Sequence, residues 1–138
     1  TKITRKFPLD EYPVFIRQGA IIPLNVSRPY TALGDKASSG FTTYLIYPDD
    51  DSNFTVHHPD GTGSTTVSTK VKNDRLNISL KGVEKPHILR IHSSAKPIKI
   101  MADDAVLDEK IGWTWDEEQV KIIIKSDPPI YQNYKIIF

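Results

Sequence analysis

The chain contains no cysteine, and this absence excludes three kinds of chemistry. A disulfide framework, a zinc site built on thiolates and a catalytic cysteine all require that side chain. The absence does not fix a compartment, because a cysteine-free chain fits bacterial secreted, periplasmic and cytoplasmic proteins alike. The localisation therefore stays open.

An excess of one charge and a long apolar run are also missing. Lys and Arg together number 18 against 17 for Asp and Glu. This balance argues against nucleic acid or an anionic membrane as a partner. No apolar run exceeds five residues, so no membrane-spanning helix is predicted. No residue pattern indicates a cofactor.

What the sequence does have is period-two alternation punctuated by turn residues. The 10 prolines and seven glycines are spread along the chain, as is typical of many short strands. Turn signals recur at a spacing typical of an antiparallel β-sandwich, so the predicted fold class is all-β. A short helix at 105–110 is the only helical alternative. The predicted strands lie at 41–47, 53–58, 64–71, 75–80, 87–92, 97–101, 120–124 and 134–138.

The opening residues predict a separate small unit. Residues 13–17 and 20–24 read as two short strands joined through Gly19. We expect these two strands to belong to a neighbouring small sheet that precedes the sandwich. The predicted division is residues 1–27, the end of one domain, and residues 28–138, the sandwich domain.

Residues 8–24 carry a specific family resemblance. They read PLDEYPVFIRQGAIIPL. This stretch resembles the segment just after the catalytic barrel of family 31 glycoside hydrolases, the α-glucosidase and α-xylosidase group, written P-L-D-x-x-P-V-F-V-R-x-G-x-I-I-P. Residues 44–55 with Pro59-Asp60-Gly61 are similar to a later strand–turn–strand of that family, but His57-His58 stands where an aromatic and an acid are usual. Residues 83–100 and 113–125 are similar in general pattern to its distal C-terminal domain.

The resemblance implies a C-terminal β region of a longer enzyme. The family hydrolyses α-glycosides with retention, using two aspartates on a (β/α)8 barrel of roughly 250 residues. Such a barrel cannot fit in 138 residues, and neither catalytic motif occurs here. The resemblance therefore implies a non-catalytic, structural domain with no catalytic residue. Its partner would be the barrel of the parent chain or of a neighbouring copy.

Four apolar residues on the opening strands are candidate domain contacts: Phe15, Ile16, Ile21 and Ile22. Exposed contiguous apolar surface usually marks a partner site. The prediction is that this segment faces a domain outside the chain or a neighbouring copy. The alternative is that it packs onto the sandwich that follows it.

Trp113 and Trp115 are candidate carbohydrate-binding residues. They lie two apart, so in a strand they share one face. Flat aromatic rings pack against the C–H faces of sugars, which makes an oligosaccharide-binding module the alternative function. Burial in the core is the other interpretation, because large aromatics supply much of a small core. A third possible function is that of a β-sandwich interaction domain whose partners are unrelated to sugars.

Acidic and histidine clusters are weak metal candidates. Asp49-Asp50-Asp51 with Asp60 could offer oxygen ligands, but aspartate is common in turns without any metal. His57 and His58 are adjacent, so in a regular strand they point to opposite faces. No metal site is predicted.

Overall fold

The chain forms a β-sandwich in the computed structural model, which describes Pro8, residues 14–27 and residues 33–138. One turn of 3-10 helix, Lys36–Ser38, is capped by Asp35, whose Oδ1 accepts a hydrogen bond of 2.8 Å from Ala37 N. The strands of the described residues are β1 (Ile21–Leu24), β2 (Thr42–Ile46), β3 (Asp51–His57), β4 (Ser64–Lys72), β5 (Arg75–Gly82), β6 (His87–His92), β7 (Lys99–Ala102), β8 (Ala105–Leu107), β9 (Trp113–Asp116), β10 (Lys121–Ser126) and β11 (Asn133–Ile137).

These strands form two sheets. The first sheet has the order β1-β2-β6-β10-β9, and the second has the order β3-β4-β5-β11-β7-β8. Every strand pair is antiparallel except β2 and β6, which run parallel. The predicted all-β sandwich is confirmed.

The core lies between the sheets and is built by alternate positions of the strands. Because successive side chains of a strand point to opposite faces, every second residue enters this core. Burial of each large aliphatic side chain contributes about 1.5–3 kcal/mol. Fully buried members include Ile46, Leu89, Ile91, Ile122 and Ile124 from the first sheet, and Val67, Leu76, Ile78, Ile100 and Ile136 from the second.

Some apolar side chains on the outer face of the first sheet are buried as well. Leu45 and Ile88 occupy outward positions of β2 and β6, yet both are buried. Val26 is buried too, and its side chain lies against Gly34.

The opening segment differs in part from the prediction. Of the predicted strand at 13–17, residues 14–17 form no strand, and Pro13 lies outside the described residues. Ala20 N donates to Arg17 O (3.1 Å), which closes a turn, and none of the described strands pairs with residues 14–17. The second predicted strand is β1, which pairs with β2 and so joins the first sheet. The domain division after residue 27 stays a prediction.

Residues 105–110 do not form the alternative helix. Asp103 and Asp104 both have positive φ, of 43° and 69°, and make a two-residue turn that pairs β7 with β8. Ala105–Leu107 is therefore a strand. None of the described helices is long and apolar enough to cross a membrane.

Candidate interaction surfaces

An exposed apolar segment precedes β1. Val14, Phe15 and Ile16 are 80%, 74% and 41% exposed. The chain after them is fixed to the end of β2, because Gly19 N donates to Tyr47 O (2.7 Å) and Tyr47 N donates to Ala20 O (2.9 Å). Residues 14–16, the apolar segment, thus present apolar side chains to solvent from an anchored position.

An open groove of about 500 Å³ adjoins the apolar segment. The rings of Tyr47 and His92 lie 5.4 Å apart between centroids. Ile16 lines the groove and joins it to the apolar segment. The groove is thus a surface on which a larger apolar or aromatic group can pack. We call this surface the end groove. Its principal apolar lining residues are Ile16, Tyr47, Pro48, Leu76 and Phe138.

The four predicted domain-contact residues do not share one surface. Phe15 and Ile16 are exposed, whereas Ile21 is buried in the core opposite Ile46. Ile22 is half-buried. Ile21 therefore has almost no surface left for another domain, because β1 has joined the sandwich. A contact role for Phe15 and Ile16 stays a prediction.

Trp113 and Trp115 share one face of β9, and that face points inward. They pair with Ile124 and Ile122 of β10, which are both fully buried. Trp113 is 5% exposed, and its Nε1 donates to Leu107 O (3.1 Å). Trp115 is half-buried and packs against the core. The structure thus favours the core interpretation for Trp113, and sugar binding by the pair stays a prediction.

The aspartates of the predicted metal candidates stabilise turns. Asp49 Oδ1 accepts from Asp50 N (2.9 Å). Asp60 Oδ1 accepts from Thr62 N (3.2 Å) and Thr62 Oγ1 (2.7 Å), and Oδ2 contacts the Lys85 ammonium. The hydrogen bond from Lys85, followed by those from Thr62, holds the pKa of Asp60 well below its usual range. The hydrogen bond from Thr62 N to Asp60 is that of an Asx turn.

The adjacent histidines point in opposite directions, as alternation predicts. His57 is exposed, whereas His58 is buried. Thr65 Oγ1 donates to Val83 O (2.7 Å) and therefore accepts from His58 Nε2 (2.8 Å). Across the described residues, no three His, Asp or Glu side chains converge as metal ligands would.

A buried polar pair joins the two sheets. His87 Nδ1 donates to Lys85 O (2.9 Å), so Nε2 accepts from the Tyr134 hydroxyl (2.8 Å). Burial lowers the pKa of His87 and raises the pKa of Tyr134. Both groups are therefore neutral at pH 7 and enclosed in the core, so the pair serves to hold the two sheets together. Alternation from Leu89 and Ile91 places His87 on the inward face, but nothing local identifies its partner.

The outer face of the second sheet is polar and forms a shallow, open groove of about 530 Å³. It is not among the predicted sites, although the outward positions of β4 and β5 are polar throughout. Thr69, Ile78 and Tyr134 alternate with these positions and point inward. The residues that build this polar face are Asp51, Ser68, Lys70, Asn77, Ser79, Met101, Asp103, Asp104, Asn133 and Lys135.

No protein-family model and no curated protein matches the sequence. The fold is similar to part of the GH31 dextranase of Flavobacterium johnsoniae, in a structure complexed with isomaltotriose, with a TM-score of 0.69 and 20% identity over 91% of this chain. It is also similar to part of the cycloalternan-forming enzyme of Listeria monocytogenes, in complex with a pentasaccharide, with a TM-score of 0.71 and 17% identity over 88% of this chain. An uncharacterized protein of Listeria monocytogenes EGD-e gives a TM-score of 0.72 at 17% identity over the same share.

The chain spans only a small part of these proteins. It covers 20% of the dextranase chain and 13% of each Listeria chain. At these identities the likeness establishes the fold. The resemblance to family 31 that residues 8–24 predicted is thus confirmed by the likeness of the fold to GH31 enzymes.

Proposed function

We propose that this chain is a non-catalytic C-terminal β domain of a larger family 31 glycoside hydrolase and that it supports the catalytic barrel. Two independent signs agree with this role. The motif of residues 8–24 resembles the segment after the family's barrel, and the sandwich is similar to a small part of GH31 enzymes. The parent enzyme would hydrolyse α-linked glucose or xylose with retention, through residues outside this chain.

The observation that carries the proposal is the exposure of the apolar segment. Phe15 at 74% and Val14 at 80% exposure leave large apolar side chains in water a few residues before β1 begins at Ile21. Such contiguous surface marks a contact with another domain. A catalytic barrel that ends just before this segment would cover it at the point where the two domains join.

The end groove extends the proposed contact. Ile16 belongs both to the apolar segment and to the groove, so a barrel element that covers one also reaches the other. The hydrogen bonds of Gly19 and Ala20 with Tyr47 fix the chain to the sandwich just after the apolar segment. A fixed connection would hold the barrel and the sandwich in one orientation, which is the structural role we propose. The division between residues 27 and 28 marks the proposed start of the distal domain.

The native mass of the protein is the first test. An antibody raised to this chain should detect, in the source organism, a band several times heavier than 15.6 kDa. The same protein, purified by that antibody, should hydrolyse an α-glucoside or α-xyloside. A native band at the mass of this chain would contradict the proposal.

Variants of the full-length protein test the contact itself. Phe15→Ser and Ile16→Ser should lower the temperature at which catalytic activity is lost, because the barrel would lose apolar contact with the sandwich. Ile111→Ser is the matched control, since Ile111 is 88% exposed near β9, at the edge of the first sheet opposite β1. Equal effects of all three substitutions would contradict a specific interface at the apolar segment.

A further inference from the structure

We propose that the polar face of the second sheet binds a neutral oligosaccharide. This inference goes beyond the structural role proposed above and does not depend on it. It concerns a surface other than the tryptophans of β9 and other than the apolar segment.

Strand pairing places the polar side chains in rows. Lys70 of β4, Asn77 of β5 and Lys135 of β11 lie directly opposite one another on neighbouring strands. Asp51 and Met101 extend this row at its two ends. Neighbouring strands lie about 4.8 Å apart, so the five residues cover a track about 19 Å long. A track of this length suits an extended chain of a few sugar rings.

A second row runs parallel to the first. Ser68, Ser79 and Asn133 lie opposite one another, two residues along each strand from the first row. Side chains two apart on one strand share a face and are separated by about 6.6 Å. The two rows therefore give a ring between them hydrogen-bonding groups on both sides.

The turn between β7 and β8 positions Asn133. Asp103 Oδ1 accepts from Asn133 N and from Asn133 Nδ2, both at 2.9 Å, and Oδ2 accepts from Gln132 N (2.9 Å). Burial opposes ionisation of Asp103, but these hydrogen bonds outweigh it and lower its pKa. The ionised carboxylate therefore fixes the amide of Asn133 before a ligand arrives, which lowers the entropy lost on binding.

The charges of the polar face select a neutral ligand. Its lining includes two lysines and three aspartates, so no excess of positive charge attracts a phosphate or another polyanion. The remaining polar side chains are amides and hydroxyls, which both donate and accept hydrogen bonds. A sugar hydroxyl has the same dual character, so each can pair with a group on this face.

The central side chains are available to such a ligand. Lys70, Asn77 and Lys135 are exposed, and their side chains make no hydrogen bond or ion pair with any residue in the described part of the chain. Asp51 lies opposite Lys70 in the strand register, yet the two form no ion pair within that part. Met101 is half-buried beside them and offers apolar contact to the C–H groups of a sugar ring.

An NMR titration of the 138-residue chain with isomaltotriose, and separately with maltotriose, tests the inference. The polar face lacks an exposed aromatic ring, so we expect dissociation constants on the order of millimolar. Backbone and side-chain amide signals of Asn77 and Asn133 should shift, and the shifts should saturate. Asn77→Ala and Lys135→Ala should each weaken binding by about three- to tenfold, as loss of one hydrogen bond predicts.

Lys81→Ala is the matched control. Lys81 is exposed on β5, four residues from Asn77 on the same outer face, but it does not line the groove. Its substitution should leave the affinity unchanged. Absent shifts, shifts centred on Trp115, or equal affinities of all three variants would overturn the inference. A chain that binds sugar here but has a native mass of 15.6 kDa would contradict only the proposed function.

Discussion

His87 and Tyr134 connect the two sheets of the sandwich by a hydrogen bond of 2.8 Å between the imidazole Nε2 and the phenolic oxygen. His87 lies on β6 of the first sheet, and Tyr134 lies on β11 of the second. Both residues are about 2% exposed. The bond therefore crosses the core, where water cannot replace a lost partner.

Tyr134→Phe should lower the free energy of unfolding by about 1–3 kcal/mol, because it leaves the buried Nε2 of His87 without its donor. Urea unfolding measures this change. Tyr131→Phe is the control, since the Tyr131 side chain is half-buried and hydrogen-bonds to no described residue; its cost should stay below about 0.5 kcal/mol. Equal costs would show that the inter-sheet bond adds nothing to stability.

Acidification should destabilise the fold through His87. Burial lowers the pKa of His87 from 6.5, so below that pH the unfolded state binds the proton more readily than the folded state. The contribution of His87 to stability is therefore fully present above about pH 6.5 and is lost as the pH falls through the window below it. A ring-proton NMR titration should give a His87 midpoint below 6.5. A midpoint at or above 6.5 would rule out this account.

Fluorescence should distinguish the two interpretations of the tryptophans. The chain has two tryptophans, so Trp115→Phe leaves Trp113 as the only one. We expect blue-shifted emission that resists quenching and does not respond to maltotriose, because Trp113 is buried against Leu107. Trp113→Phe is the companion variant and should emit at longer wavelength from half-buried Trp115. Quenchable, sugar-sensitive emission from Trp113 would instead support a sugar platform.

Gly82→Ala should be strongly destabilising. Gly82 has φ of +119°, and a Cβ there would lie 2.2 Å from Ser64 O. The clash and the unfavourable backbone together should cost about 3 kcal/mol or more. Gly61→Ala is the control, because φ is +72° but no atom lies within 4 Å of the added Cβ, so its cost should stay at about 1–2 kcal/mol. Denaturant unfolding of the two variants should show this difference, and similar midpoints would contradict the steric argument.

Local pattern predicts the strands well because alternation is a short-range property. The predicted strand at 87–92 coincides with β6, and the hairpin predicted at 64–71 and 75–80 is β4–β5. Strand β8 is not predicted, since Asp103 and Asp104 adopt positive φ without a glycine to signal it. The parallel pairing of β2 with β6 joins residues far apart in the chain, and no local pattern encodes it.

The sites are less predictable than the strands. Alternation shows that Trp113 and Trp115 share a face, but it does not show which face is inward. The apolar character of residues 14–16 is visible in the sequence, whereas their exposure depends on tertiary structure, since no strand in the described part of the chain pairs with them. The polar face needs the order β4-β5-β11-β7, because its rows combine residues that are distant in sequence.

The parallel neighbours β2 and β6 have a consequence for the speed and order of folding. The chain between them builds β3, β4 and β5, which belong to the opposite sheet. That three-stranded meander involves only short loops and can form early. The first sheet cannot form until β2 pairs with β6, and this pairing closes a long loop that contains β3, β4 and β5. We therefore expect the β3–β5 meander to nucleate folding, and the pairing of β2 with β6 and of β11 with β5 to follow. A ribosome-bound chain ending before β6 would then hold the meander without either complete sheet.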